Sequence, residues 1–485
     1  MGFGSRRSSS SSNKKDTVAK HEETVVQREP MDALEEDRDA EEEEVDDVFG
    51  AQGDGKVNYK TVGWLSTSVL MMKAQMGLGV LSIPSVFHVL GLLPGILILL
   101  FIGGLNTYTQ WFLAGPFKRR HPQCYTLADA GYLMAGAWGR EVIGAAYWLH
   151  MMFITGAALL GLSTALNAIS LHATCTAVFM IVAAVATYPV ASLRTLGGIR
   201  YVGWAGLISM VVSILLVTIA VGAGGRPSPA PQEGPWDKGI VYFGQPSFAD
   251  AMNGVSNLVL SFAGGPSYLS MVSEMRKPRQ STRAILLAQS FVTAFYLTIG
   301  VVVYMYAGQY VASPALGTAG TLIKRVAYGL ALPGLLAAGV IYTHMPAKYI
   351  FLRLLRNSRH LTSSTPTHWL AWLGSTFFCL AASYIVASVI PAFNGLVGLI
   401  GALFGTFLCL QTVSAMWFYD NWHLRTDPHT NTVKFKTLVL FNAFIIVIGT
   451  FIQVAGTYGS VVAIKEEYDQ NAGRSFTCDD NSNSS

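Results

Sequence analysis

The sequence predicts an all-α membrane protein whose chain crosses the bilayer eleven times. Of its 485 residues, 51% are hydrophobic and 13% are charged, whereas soluble proteins carry about 25% charged residues. Long apolar runs can each supply the about 20 residues that a membrane helix needs, and they are too continuous for the strands of a barrel. The predicted spans are 62–89, 92–114, 141–169, 172–190, 197–222, 247–274, 282–308, 322–352, 367–389, 391–419 and 437–464.

The charges of the connecting segments predict the orientation. Lys and Arg occur before span 1 and after spans 2, 4, 6, 8 and 10, whereas the connections after spans 1, 3 and 9 have none. After span 5, Arg226 and Lys238 are balanced by Glu233 and Asp237, so only Lys324 and Arg325, at the outer start of span 8, disturb this alternation. Because basic connections stay in the cytoplasm, we expect a cytoplasmic N-terminus and an extracellular C-terminus.

Residues 1–60 differ from the rest of the chain in charge. They contain 9 basic and 16 acidic residues, a net charge of −7, so the remainder carries +11 of the total of +4. Without an apolar segment, they are expected to form a disordered cytoplasmic tail and not a signal peptide. Lysines beside the Ser8–Ser12 run suggest ubiquitin or kinase machinery as partners, with a merely solvated tail as the alternative. No nucleic-acid partner is expected.

The five cysteines are widely spaced and form no metal-type pair. Cys175, Cys379 and Cys409 lie in apolar runs, where cysteine behaves as a small hydrophobe. The sequence therefore predicts neither a metal site nor a disulfide framework.

Two predicted spans contain a break near their middle. Span 1 has Gly77-Leu78-Gly79 followed by Pro84, and span 6 has the run Ser261 to Pro266, "SFAGGP". Glycine packing between helices would explain either break alone. However, both breaks fall in the first span of a five-span set, and matching interruptions in two halves indicate a transport site. Free N–H groups at one half-helix end would hold a carboxylate, and free carbonyls at another would hold an ammonium group, which suits an amino acid.

Three segments resemble the amino acid/auxin permease family: "KAQMGLGVLSIP" (73–84), "YTLADAGYLMAG" (125–136) and "SFAGGPSYLSMVSEMRKP" (261–278). The likeness is strongest to fungal neutral amino acid permeases of the methyltryptophan-resistance type. It implies a leucine-transporter-like fold with a 5+5 inverted repeat plus one extra helix. On this basis the chain divides into the tail 1–60, a transporter domain 61–465 and a short extracellular tail 466–485. The repeats would span about 62–222 and 247–419, and span 11 would cover 437–464.

The resemblance also implies roles for individual residues. The carboxylate of the substrate would be held at the first break, by Gly77, Leu78, Gly79 and Val80. The amino group and the side chain would lie at the second break, against Ser261, Phe262, Ala263 and Gly264. The segment 274–278 would be a gate hinge at the cytoplasmic end of span 6. Met151 and Ile154 would extend an apolar pocket beside Phe262.

The coupling ion is predicted from Lys73, the only charge that the sequence places well inside a span core. Sodium-coupled relatives usually have an asparagine beside the first break, where this chain has Lys73, Ala74 and Gln75, so sodium coupling is not expected. A charge in the bilayer is costly and marks a functional residue, although Lys73 snorkelling to the cytoplasmic face is the alternative. Thr343 and His344 of span 8 are further candidates for proton coupling.

These features predict secondary transport of neutral aliphatic and aromatic L-amino acids by proton symport. The proton gradient is the expected energy source, and no cofactor is expected. An amino acid receptor without net flux and a vacuolar exporter are the alternatives. A membrane enzyme is not expected, because the sequence has neither H-E-x-x-H nor G-x-S-x-G. The plasma membrane is the expected location, with the vacuolar membrane as the alternative.

Overall fold

The computed structural model describes residues 60–482, except 78, 195, 224–225, 228–229, 356–357, 359, 362–364, 391–392, 427–431, 470–477 and 479. The predicted disordered tail, with its partner sites, and most of segment 466–485 lie outside the described residues. The described part is helical, and its β-type pairing is a single parallel bridge between Val62 and Met275.

Thirteen helices make up the body of the described chain. They are α1 Trp64–Gln75, α2 Gly79–Leu90, α3 Leu92–Arg120, α4 Leu127–Ser170, α5 Thr176–Ala191, α6 Leu196–Ala223, α7 Phe248–Ser261, α8 Tyr268–Ser273, α9 Ser281–Ala307, α10 Thr321–Leu355, α11 Pro366–Val389, α12 Phe393–Thr426 and α13 Val433–Asp469.

Each predicted span lies on helix. Within the described residues, eight helices are long and apolar enough to cross a membrane, and α1 with α2 would make a ninth as one span bent by 48°. α5 is apolar but has only 16 residues, and span 6 is divided between α7 and α8. Helix length and composition thus establish a multi-pass protein.

One predicted connection is helical. α4 begins at Leu127, well before the predicted span, because the Thr126 and Asp129 side chains form a reciprocal capping box. The helix then kinks at Ala135 and Gly136, where Gly136 has a φ of +62°. A positive φ is accessible to glycine at little cost. The segment "YTLADAGYLMAG" is therefore a separate short helix leading into span 3.

Close helix packing depends on small residues. α10 packs against α4 and α6, and a Cβ on Gly334 of α10 would lie 2.9 Å from the Gly206 carbonyl oxygen of α6. α13 packs in the same manner against α7. Small residues let membrane helices approach until their backbones are in contact.

The expectation of no disulfide is wrong for one pair of cysteines. Cys175, at the start of α5, is joined to Cys478 near the C-terminus by a disulfide. The two residues are 303 positions apart in the chain, so only tertiary structure brings them together. Cys124, Cys379 and Cys409 are buried free thiols.

Candidate functional site

The two predicted breaks lie against each other in the centre of the bundle. A Cβ on Gly79 would lie 2.6 Å from the Cα of Ser261, and a Cβ on Gly264 would lie 2.8 Å from the Cγ of Gln75. Contacts under about 3 Å are sterically forbidden, so any side chain at Gly79 would push the two backbones apart. The two breaks can lie this close together only because Gly79 and Gly264 have no side chains.

The helix ends at the breaks expose two carbonyl groups to one side chain. α1 ends at Gln75 and α7 ends at Ser261. The Tyr296 hydroxyl of α9 lies 2.8 Å from the Gln75 carbonyl oxygen and 3.0 Å from that of Ser261. A phenol has a single proton. Tyr296 can therefore donate a full hydrogen bond to only one of the two carbonyls at a time.

Gln75 adds a third acceptor at the same place. Its Nε2 donates to the Tyr268 hydroxyl, while its Oε1 is buried and has no hydrogen-bond partner among the described residues. The Gln75 side chain therefore adds acceptor capacity beside the two carbonyls that share the Tyr296 proton. An ammonium group, which has three donors and no acceptor, is the complementary partner for such a set.

The opposite half of the first break offers donors. α2 begins at Gly79, and the first N–H groups of a helix have no partner within the helix. Together with the helix dipole, they favour an anion such as a carboxylate. Gly77 has room beside it, since a Cβ there would lie 3.9 Å from its nearest neighbour, Ala338. Val80 is buried, and Leu78 lies outside the described residues.

The second break is held by side chains that the sequence did not single out. The Phe262 carbonyl oxygen accepts a hydrogen bond of 2.8 Å from Gln110 of α3, which also contacts Gln289 of α9. The Phe262 ring packs edge-on against Tyr296 at 5.3 Å between centroids and reaches Gly103 of α3. Phe262 thus packs toward α3 and α9.

The predicted pocket residues Met151 and Ile154 are buried in α4. Beside them His150 lies near the Ala263 backbone, and neither of its ring nitrogens has a hydrogen-bond partner among the described residues. A buried polar group without a partner is costly, so His150 is a further candidate for a group that meets substrate or proton.

Lys73 is fully buried and points into the break. Its Nζ donates a hydrogen bond of 2.7 Å to the Met76 carbonyl oxygen, and its stem packs against Gly206 of α6. Among the described residues, no carboxylate lies within 4.0 Å of this nitrogen. The Lys73 ammonium group is therefore directed toward Met76 and the break and not toward the start of α1.

The other predicted coupling residues lie on α10. The Thr343 hydroxyl is buried without a partner among the described residues. His344 Nδ1 lies 3.3 Å from the Ala191 carbonyl oxygen, and its ring packs against Trp372 of α11 at 5.2 Å. These contacts place His344 toward α5 and α11.

Lys73 is not the only buried charge among the described residues. Lys348 of α10 and Glu274, which follows α8, form an ion pair whose side chains are 3% and 0% exposed. Glu274 Oε1 also accepts a hydrogen bond of 2.7 Å from Tyr125. The Glu274 carbonyl oxygen accepts from the Val62 N–H at 3.2 Å, ahead of α1. Glu274 therefore joins α8 to α10, to the segment before α4 and to the start of span 1.

Comparisons with known proteins agree with this architecture. A family model described as transmembrane amino acid transporter protein matches residues 60–462. A transmembrane transporter of Fusarium pseudograminearum is 36% identical over 440 residues, covering 90% of this chain and 91% of the relative. The N amino acid transport system protein of Neurospora crassa is 29% identical over 426 residues, covering 86% and 88%.

Solved structures show the same fold at low identity. A Na+-coupled sialic acid symporter matches with a TM-score of 0.51 at 11% identity, covering 84% of this chain and 91% of its own. Mhp1, a nucleobase-cation-symport-1 family transporter, matches with a TM-score of 0.50 at 11% identity, covering 88% and 96%. The chain therefore belongs to the transmembrane amino acid transporter protein family. This confirms the predicted family and the predictions that the chain is a membrane transport protein and not an enzyme.

Proposed function

We propose that this protein is a secondary active transporter of neutral L-amino acids that works by proton symport. The observation that carries the proposal is the contact between the two breaks, where an acceptor set adjoins the N-terminus of α2. We propose eleven spans arranged as two inverted five-span repeats plus α13. The broken spans α1–α2 and α7–α8 would then be the first spans of each repeat.

The substrate is proposed to be held by its zwitterionic backbone. The ammonium group lies against the Ser261 carbonyl oxygen, which shares the Tyr296 proton with that of Gln75, and against Gln75 Oε1. The Gln75 carbonyl oxygen also accepts a hydrogen bond of 2.8 Å from the Gly77 N–H. The carboxylate lies at Gly77 to Val80, against the N-terminus of α2. A cationic side chain would need a buried counter-ion. Because the described core supplies none beside the breaks, arginine and lysine should be poor substrates.

Lys73 is proposed to couple transport to protons. Its positively charged ammonium group is already hydrogen-bonded to the Met76 carbonyl oxygen at the first break. A sodium ion there would be repelled by a like charge in a medium of low dielectric constant. Loss of the Lys73 proton would replace a charge-assisted hydrogen bond to the Met76 carbonyl with a weaker neutral one and so loosen the backbone of the break. His344 and Thr343 are kept as secondary candidates in this scheme.

Alternating access is proposed to open and close the contacts around Glu274. These contacts join the cytoplasmic halves of both broken spans to α10. Such a cluster must separate before a path can open on that side.

The Cys175–Cys478 disulfide supports the proposed orientation, since disulfides persist on the extracellular or lumenal side of a membrane. The C-terminus would then be outside and the N-terminus cytoplasmic, with the plasma membrane as the proposed location.

Uptake of labelled neutral amino acids into cells expressing the protein tests the proposal. Uptake is measured at pH 5 and pH 7.5, each with sodium and with choline, after surface expression has been quantified. The proposal expects uptake that rises at pH 5 and is the same in sodium and choline. Sodium-dependent uptake would refute proton symport, and absence of uptake at normal surface expression would favour a receptor or an organellar exporter.

A further inference from the structure

The described residues that follow Cys478, 480–482, bind to the helix bundle. We call the position of the Asn481 side chain the seat. Asn481 inserts its side chain between two buried residues of α4. Its oxygen accepts a hydrogen bond of 2.7 Å from Asn167, and its nitrogen donates one of 3.0 Å to Ser163. The next carbonyl oxygen, that of Ser482, accepts a hydrogen bond from Lys324 at the start of α10.

The seat is a built site and not a surface contact. Ser163 and Asn167 are 0% exposed, and Lys324 and Ser482 are each 7% exposed. The tail residues also form a hydrogen-bonded turn at this position, because Asp480 accepts hydrogen bonds of 2.8 Å and 2.6 Å from the Ser482 N–H and hydroxyl. A side chain that bonds its own backbone two residues on fixes a local turn.

The described tail residues therefore contact three helices at one end of the bundle. The disulfide fixes Cys478 to the start of α5, Asn481 binds α4, and the Ser482 carbonyl binds α10. α4 carries His150, which lies near the Ala263 backbone of the second break, and α10 carries Lys348. The contacts of the tail residues thus connect the ends of α4, α5 and α10, and other parts of α4 and α10 contribute to the candidate site.

We propose that Cys478, Asp480, Asn481 and Ser482 form a strap that joins α4, α5 and α10, and that thiol reductants release it by cleaving the Cys175–Cys478 disulfide. A thiolate of the reductant attacks one sulfur, the S–S bond breaks, and the other cysteine leaves as a thiolate that takes a proton. A second reductant thiolate then resolves the mixed disulfide. The products are two cysteine thiols and one oxidised disulfide of the reductant.

Cleavage of the disulfide would weaken the binding of Asn481 to α4 without itself breaking the hydrogen bonds of Asn481. While the disulfide is intact, Asn481 has a high effective concentration at its seat, and this falls when the tether is cut. The α4 and α10 ends then lose a shared partner. We expect lower thermal stability and weaker substrate binding, with no loss of protein from the membrane.

Thiol counting on the full-length protein tests the disulfide itself. Under denaturing conditions, a maleimide reagent should label three cysteines before reduction and all five after it, since Cys124, Cys379 and Cys409 are free. Labelling of all five without reductant would overturn the proposal.

Stability and uptake then test the strap. With the thiol reductant dithiothreitol, the melting temperature should fall by several degrees and the KM for a neutral amino acid should rise several-fold. Cys175→Ser/Cys478→Ser should resemble the reduced protein and should not respond to dithiothreitol, and Cys409→Ser is the matched control that should keep the response. Asn481→Ala should lower the melting temperature, while the maleimide should still label three cysteines before reduction and five after it. An unchanged melting temperature and KM after reduction would overturn the strap.

Only the KM measurement rests on the proposed function. Labelling and melting need no transport, so failure of the strap and failure of the transport proposal remain distinguishable.

Discussion

The buried pair of Lys348 and Glu274 gives the sharpest energetic prediction. Lys348→Met leaves the Glu274 carboxylate, which is 0% exposed, with Tyr125 as a remaining partner but without its cation. Removing one partner of a buried ion pair typically costs about 3–5 kcal/mol, whereas replacing both by neutral groups is often close to neutral. We therefore expect Lys348→Met to destabilise the protein by about 3 kcal/mol or more, and Lys348→Met/Glu274→Gln to recover most of that loss.

An exposed pair on the same helix supplies the control. Arg353 binds Glu141 at 2.7 Å, but the two side chains are 53% and 47% exposed. Exposed ion pairs contribute at most about 1 kcal/mol, so Arg353→Met should have little effect.

The free energies of unfolding of Lys348→Met, Glu274→Gln and the double variant in detergent, measured by chemical denaturation, complete the double-mutant cycle. Arg353→Met is measured in the same way. Equal losses for Lys348→Met and Arg353→Met, or additive losses in the double variant, would refute the account of a desolvated pair.

Three further variants test the site itself. Gly79→Val should abolish uptake because its Cβ would collide with the Ser261 backbone at 2.6 Å, whereas Gly104→Val, with no atom within 4 Å of its Cβ, should retain it; equal uptake would contradict the contact of the breaks. Lys73→Met should remove the pH dependence of uptake at unchanged surface expression, and a normal pH profile would exclude Lys73 from coupling. Tyr296→Phe removes the donor that competes with the substrate ammonium for the Gln75 and Ser261 carbonyls and should lower KM, by up to about tenfold or about 1.4 kcal/mol, so an unchanged or raised KM would argue against a substrate ammonium at this position.

The local signals in the sequence were sufficient to locate the helices and the breaks. Gly79 and Gly264 mark the breaks because a lack of Cβ and an interrupted apolar run are visible in a few consecutive residues. The capping box at Thr126 is equally local, but only nine residues separate it from Gly136 at the kink, so the short helix between them is not visible as a span in the sequence.

The partners across the bundle could not be predicted in the same way. Glu274 and Lys348 are 74 positions apart, and each alone resembles a polar residue at a span end. Tyr296 carries a single polar atom within an apolar run, so nothing in the sequence shows that its hydroxyl meets two carbonyls. The disulfide likewise depends on where the chain returns after α13.

Net transport by the purified protein tests the central claim most directly. Proteoliposomes with an inwardly directed proton gradient are given a labelled neutral amino acid, without sodium, and internal label is followed over time. The account predicts transient accumulation above the external concentration that a protonophore abolishes and that Lys73→Met does not show. Binding without accumulation, or accumulation that requires a sodium gradient, would contradict it.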